Sequence, residues 1–190
     1  MRLALLLVSF IISLPTLAAW QLDNQQSRLS FISIKKTNIA EVHRFTQLSG
    51  EFSDQANISF AIDLSSVDTK IGIRNERMRK FLFATNIFPK ATFTAKLTPV
   101  SFNKVKVGSS AVMTVDGELA LHGEKKAISV DVLLARLSAD TFVVSSMQPL
   151  IIQAADFKLA AGVEKLQALA KLPSISKAVP VSFVLTYKKH

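Results

Sequence analysis

His43, Arg74 and Arg77 are the side chains most able to do chemistry at a defined place in this chain. An arginine fork grips a phosphate or carbonyl oxygen, and an imidazole donates to a similar acceptor. Around them the means of catalysis are missing. The 190-residue sequence holds no cysteine and three histidines, His43, His122 and His190. That removes thiol chemistry and thiolate zinc sites. The scattered histidines, with no acidic cluster at ligand spacing, predict no metal centre. No G-x-S-x-G elbow, P-loop or paired-carboxylate arrangement is present either. The residue types point to binding, with no enzymatic activity and no cofactor beyond a bound ligand.

The two arginines belong to the segment IGIRNERMRKFLF, which predicts a helix from Ile71 to Phe83. At about 100° per residue, Ile71, Met78, Phe81 and Leu82 share one side with Arg74 among them, while Arg79 and Lys80 point to solvent. A guanidinium on a packed face needs a partner, because an unpaired buried charge costs several kcal/mol. Two readings stay open for Arg74: an ion pair with Asp68, Asp63 or Asp116, or contact with the polar end of a ligand, shared with Arg77. His43, on an early strand, is either a satisfied strand histidine or a donor at a barrel rim. His122, in a Leu-His-Gly turn, reads as structural.

Strands must position these groups. Ile58, Phe60, Ile62 and Leu64 alternate with small or polar residues, a period of two that puts one face toward an apolar interior. The pattern recurs with Leu29 and Phe31, with Phe93, Ala95 and Leu97, with Val112, Leu119 and Leu121, with Ile128 to Leu134, and with Val181, Phe183 and Leu185. Residues 42–52 read as one strand carrying Phe45, Leu48 and Phe52, bent at Gly50. The stretch FVVSSMQPLIIQA continues the alternation, and GVEKLQALAKL predicts a short helix stopped by Pro173. Eight or nine closely spaced strands argue for an antiparallel sheet. It can be a closed barrel around a ligand, or an open sandwich. In the first case Phe31, Phe45, Phe60, Ile62, Phe93, Leu119, Val130 and Phe183 line an apolar lumen; in the second they form a dry core.

The N-terminus predicts a compartment. Arg2, an apolar run from Leu3 to Leu14 and the small residues of Thr16-Leu17-Ala18-Ala19 read as a cleaved export signal over residues 1–18, uncertain by one residue. The run is shorter than the ~20 residues needed to span a bilayer. Cleavage leaves about 170 residues, enough for one domain over 19–190 with a substantial core. The net charge of +9 falls by one with Arg2. In an exported protein that balance disfavours nucleic acid as a partner, and suits an anionic membrane surface or a phosphate-bearing ligand.

Six fragments in order carry a resemblance across the mature chain. They are Trp20-x-x-Asp23 with Ser27 and Phe31; His43 with Gly50-x-Phe52; Ile62-Asp63-x-Ser65-Ser66-Val67-Asp68-Thr69; Arg74-Asn75-x-x-Met78-Arg79; Phe88-Pro89-x-Ala91-Thr92-Phe93; and Gly117-x-Leu119-x-Leu121-His122-Gly123-x-x-Lys126. Together they resemble the YceI-like family of exported, lipocalin-like proteins. The family usually has Arg-Asp at Arg74-Asn75 and Tyr-Pro at Phe88-Pro89, and one residue more between His43 and Gly50. The resemblance implies an all-β, antiparallel eight-stranded barrel capped by one or two short helices. It implies a non-catalytic periplasmic carrier of a long-chain isoprenoid lipid, a polyprenyl phosphate or an isoprenoid quinone. A competing reading is a filled barrel whose basic patch, Arg77, Arg79 and Lys80 beside Phe81 and Phe83, docks to a membrane or a membrane redox protein. A homodimer is compatible with either reading.

Overall fold

The alternating segments become the staves of a closed antiparallel barrel. The computed structural model describes residues 20–53, 56–97 and 104–189; the export signal expected over 1–18 lies outside the described residues. The strands are β1 (Trp20–Leu22), β2 (Arg28–Lys35), β3 (Ile39–Phe45), β4 (Leu48–Phe52), β5 (Asn57–Asp63) and β6 (Val67–Asp68), then β7 (Lys90–Lys96), β8 (Ser110–Leu121), β9 (Glu124–Arg136), β10 (Thr141–Ser146), β11 (Leu150–Gln153) and β12 (Ala178–Lys189). Eight of them close the ring in the order β1-β4-β5-β7-β8-β9-β10-β12, with β12 returning to β1. Beyond kinks, β2 and β3 prolong β1 and β4, and β11 prolongs β10 along β12. The pattern left a sandwich open; pairing of the last strand with the first excludes it.

Residues 42–52, read as one strand, are two. The amides of Thr46 and Gln47 turn aside to Ser66 Oγ, at 3.2 and 3.0 Å, and that of Leu48 to Asn24 Oδ1 at 2.7 Å. Side-chain acceptors thus interrupt the ladder where the stave bends. The expected grouping of Val112 with Leu119 and Leu121 also fails. Val112 is exposed, and Met113 and Val115 take the inward places, because only odd positions of β8 face the interior. The longest hairpin joins β8 to β9 through His122 and Gly123, with φ of 52° and 81°, the left-handed pair a two-residue turn requires.

Both helical excursions sit at one end of the barrel. α1 (Gly72–Arg77) runs into a single π turn, Met78–Leu82, in which the Phe83 amide reaches back five residues to the Met78 carbonyl at 2.9 Å. The wider turn shifts the phase of everything after it. Phe83 therefore points into the barrel and Phe81 out of it. Ile71, placed on the packed side by a regular helix, is 46% exposed. α2 (Ala160–Leu169) crosses this segment at Gly162. The other end of the barrel is closed by rings: Phe142 stacks on Tyr187 at 5.0 Å and takes Trp20 and Phe52 edge-on at 4.9 and 5.8 Å.

A Cβ at Gly162 would lie 2.7 Å from the Phe81 carbonyl oxygen and 2.9 Å from Leu82 Cα, so the two helical segments meet backbone to backbone. Gly162→Ala gains up to about 1 kcal/mol in helix propensity, and overpacking costs about 1–3 kcal/mol. The expected outcome is a net loss on the order of 1 kcal/mol, read as a lower urea midpoint; a gain in stability would show that this contact yields.

Candidate functional site

The barrel is not filled by its own side chains. An apolar cavity with about 1680 Å³ of atom-free space, its opening included, runs through the interior. Phe31, Phe45, Phe60, Ile62, Phe93, Leu119, Val130 and Phe183 all line it. The register accounts for their convergence. Phe60 faces Phe93, which faces Leu119 on the next strand, while Leu29 faces Phe45 on one side and Phe183 on the other. Gly117 makes this packing possible: a Cβ there would lie 2.4 Å from the Phe93 ring.

Sequence reasoning missed several wall residues. Phe83, Leu159 and Val163 close the helical end, and Phe52, Phe142 and Tyr187 the opposite one. Period two is blind to the first group, because it comes from helices and a turn. Burial pushes the Tyr187 phenol above its ordinary pKa, so it stays protonated among the rings.

None of the three residues placed at a polar mouth lines this cavity. His43 lies on the inward face of β3, 4% exposed, its Nε2 3.0 Å from Ser33 Oγ and its ring against Phe31. Arg74 donates through Nη1 to Glu41 Oε2 at 2.9 Å and through Nη2 to the Thr69 carbonyl at 2.7 Å. Its counter-charge is Glu41, not Asp68, Asp63 or Asp116, and Lys35 shares the same oxygen at 2.7 Å. The hydrogen bond from Lys35, with the charge of Arg74 behind it, holds the Glu41 carboxyl below its usual pKa. Arg77 Nη1 donates to the Leu169 carbonyl at 3.3 Å, tying the π-turn segment to the last turn of α2. The Arg74–Glu41 pair thus fastens the helical cap to the wall, and the Arg77 contact joins its two helices.

The basic patch divides in the same way. Lys80 and Lys165 flank the Phe81 ring at 5.2 and 5.9 Å, whereas Phe83 is buried inside the barrel and is no part of that surface. Asn75 uses its Oδ1 to accept from both the amide and the hydroxyl of Thr69, at 2.9 and 2.6 Å. Phe88 rests on the His122 ring at 4.5 Å. Among the described residues no cluster of acidic or histidine side chains could hold a metal ion.

Burial, with the charge of Arg74 behind it, holds the His43 imidazole below its ordinary pKa, so the folded protein keeps it neutral. As pH drops below about 6.5 the unfolded chain takes up a proton that folded His43 refuses. Stability therefore rises with pH across that window and is fully present above it. Urea melts from pH 7.5 down to 5 should show a loss in the wild type that is smaller in His43→Gln; parallel profiles would count against the buried neutral imidazole.

Comparison with known proteins agrees with this architecture. A model of the YceI-like domain matches residues 20–187. A Saccharophagus degradans structure, described as a polyisoprenoid binding domain implicated in plant cell wall breakdown, is 42% identical, with a TM-score of 0.88 over 91% of this chain and 99% of that one. Burkholderia cenocepacia BcnA superposes at TM-score 0.67 with 22% identity, over 87% of this chain and 98% of its own. A Campylobacter jejuni YceI protein does so at 0.58 with 18% identity, over 83% and 90%, and these two likenesses speak to fold alone. No protein with a curated description matches the chain. With a family match over nearly the whole barrel and a close structural counterpart, the chain belongs to the YceI-like domain family.

Proposed function

We propose that this protein is a non-catalytic carrier that holds a long-chain isoprenoid lipid in the barrel lumen and works in the periplasm after export. The observation that carries the reading is the wall-to-wall apolar cavity, in which eight inward positions from seven strands and two helical caps surround one continuous space. The 42% identical counterpart described as polyisoprenoid binding supports the ligand class. The N-terminal apolar run of residues 3–14, followed by small residues, supports export. The aromatic and branched lining residues named in the lumen are the proposed contacts for the tail.

The energetics suit such a ligand. Burying about 400 Å² of hydrocarbon contributes roughly 10 kcal/mol gross at about 25 cal/mol per Å². Micromolar affinity corresponds to about 8 kcal/mol, and ordering a flexible chain costs several kcal/mol. A lumen that buries still more of a long tail reaches that range without a strong polar contact.

Native mass spectrometry of the mature protein tests this directly. The expected result is an adduct with the mass of a long-chain isoprenoid, or uptake of one after delipidation; neither adduct nor uptake would remove the carrier reading. Filling the lumen with Leu119→Trp and Val130→Phe should cut uptake at least roughly tenfold while the far-ultraviolet circular dichroism stays that of the wild type.

A further inference from the structure

The wall changes character part-way along β9. Its C-terminal half is laddered to β10 from Phe142↔Arg136 to Ser146↔Val132. The Met147 amide then closes that ladder on the Asp131 carbonyl at 2.9 Å. Next come Gln148 and Pro149, whose ring has no N–H to donate, and the strand that follows, β11, pairs with β12 alone. β9 from Lys125 to Val130 and β11 from Leu150 to Gln153 therefore flank a seam with no ladder across it. At about 3.4 Å per residue the seam runs roughly 15–20 Å. Both lips belong to the cavity: Ile128 and Val130 line it from β9, Leu150 and Ile152 from β11.

The two ends of the barrel offer a polar group less. Met78, Phe83, Leu159 and Val163 are buried beneath the helices, and Trp20, Phe52, Phe142 and Tyr187 are buried at the other end. Among the described residues no charged side chain lines the cavity. Along β9 the lumen-side positions run Val132, Val130, Ile128 and then Lys126, which is exposed. Its neighbours are neutralised: Lys125 pairs with Glu118 at 2.9 Å, and Glu124 with Lys158 at 2.5 Å. Among the described residues no carboxylate is in ion-pair contact with Lys126 at the lip of the seam; Glu124, which feels its charge, is held in contact by Lys158 instead.

We propose that the seam between β9 and β11 is where the ligand's polar end leaves the lumen, and that Lys126 binds an anionic phosphate there. This rests on the lipid-carrier reading and selects, within it, a phosphorylated isoprenoid over a neutral one. The tail enters past Ile128 and Leu150 into the cavity, and the phosphate stays at the surface, where its hydration is not lost.

The test compares a polyprenyl monophosphate with the polyprenol of the same chain length, by native mass spectrometry and fluorescence competition. A charge pair at such an exposed site corresponds to about a fivefold preference for the phosphate. The wild type and Lys126→Arg should show that preference. Lys126→Gln should lose it, with polyprenol affinity unchanged, and Lys165→Gln, on the outer face of α2, should keep it. Equal wild-type affinity for the two lipids overturns the Lys126 site and leaves the carrier intact, as does a preference that survives in Lys126→Gln. Binding of neither lipid overturns the carrier reading and this site with it.

Discussion

Closure of the ring by β12 is the constraint on which the remainder of the structure depends. One strand of twelve residues takes β1 and β2 along one edge and β10 and β11 along the other. The first described residues are thereby locked to the last. The Asp23 amide donates to the Thr186 carbonyl at 2.8 Å, Ser27 Oγ accepts from the Thr186 amide at 3.0 Å, and Lys188 pairs with Asp23 at 2.8 Å. Without that seal the inward faces of β2, β3 and β12 would open to water and there would be no lumen. The cost is kinetic, since the pairing joins the most distant parts of the chain and must wait for loop closure.

A closed ring of eight strands has a set circumference, and so a set interior to fill. Here the ends are filled and the middle is not. Four aromatic rings plug one end, and the π turn and α2 roof the other. Between them the wall presents side chains long enough to line a space yet too short to meet across it. An unfilled apolar interior forfeits dispersion contacts and is normally destabilising. It persists where the surrounding hydrogen-bonded wall holds its shape independently of what lies within. The long β8–β9 hairpin, paired over twelve positions, supplies much of that stiffness.

Legibility in the sequence follows the range of the interaction concerned. Phe60, Phe93 and Phe183 announced themselves, because alternation is a local property and one face of each strand must be apolar. The short helix ending before Pro173 was equally local. The partner of Arg74 was not legible. Glu41 lies 33 positions away, and only the wrapping of β3 beneath α1 brings the charges together. Arg77 was harder still, because a backbone carbonyl carries no signature of being an acceptor. The split at Thr46 and Gln47 depends on Ser66 and Asn24, outside any window in which residues 42–52 look continuous. The π turn deceived a regular helical wheel by one residue, enough to exchange the roles of Phe81 and Phe83. Polar residues were thus legible in kind, while the partners they take were not.

The partners these residues take bear on what the fold can discriminate. A lumen with no charged lining side chain among the described residues recognises hydrocarbon by area and shape, and additional methylenes change affinity smoothly. Sharp discrimination needs a polar group whose loss leaves a partner unpaired. His43, Arg74 and Glu41, which look suited to that role, are engaged elsewhere: His43 with Ser33 inside the wall, and Arg74 with Glu41, a pair that ties the roof to the wall. On the carrier reading, selectivity for a head group arises where the wall itself is incomplete. A break in a β-ladder is usually a liability, because it exposes unpaired backbone groups. In a barrel whose ends are sealed by buried side chains, such a break sets an apolar interior beside water-exposed groups of the wall, which is the arrangement an amphiphilic molecule needs.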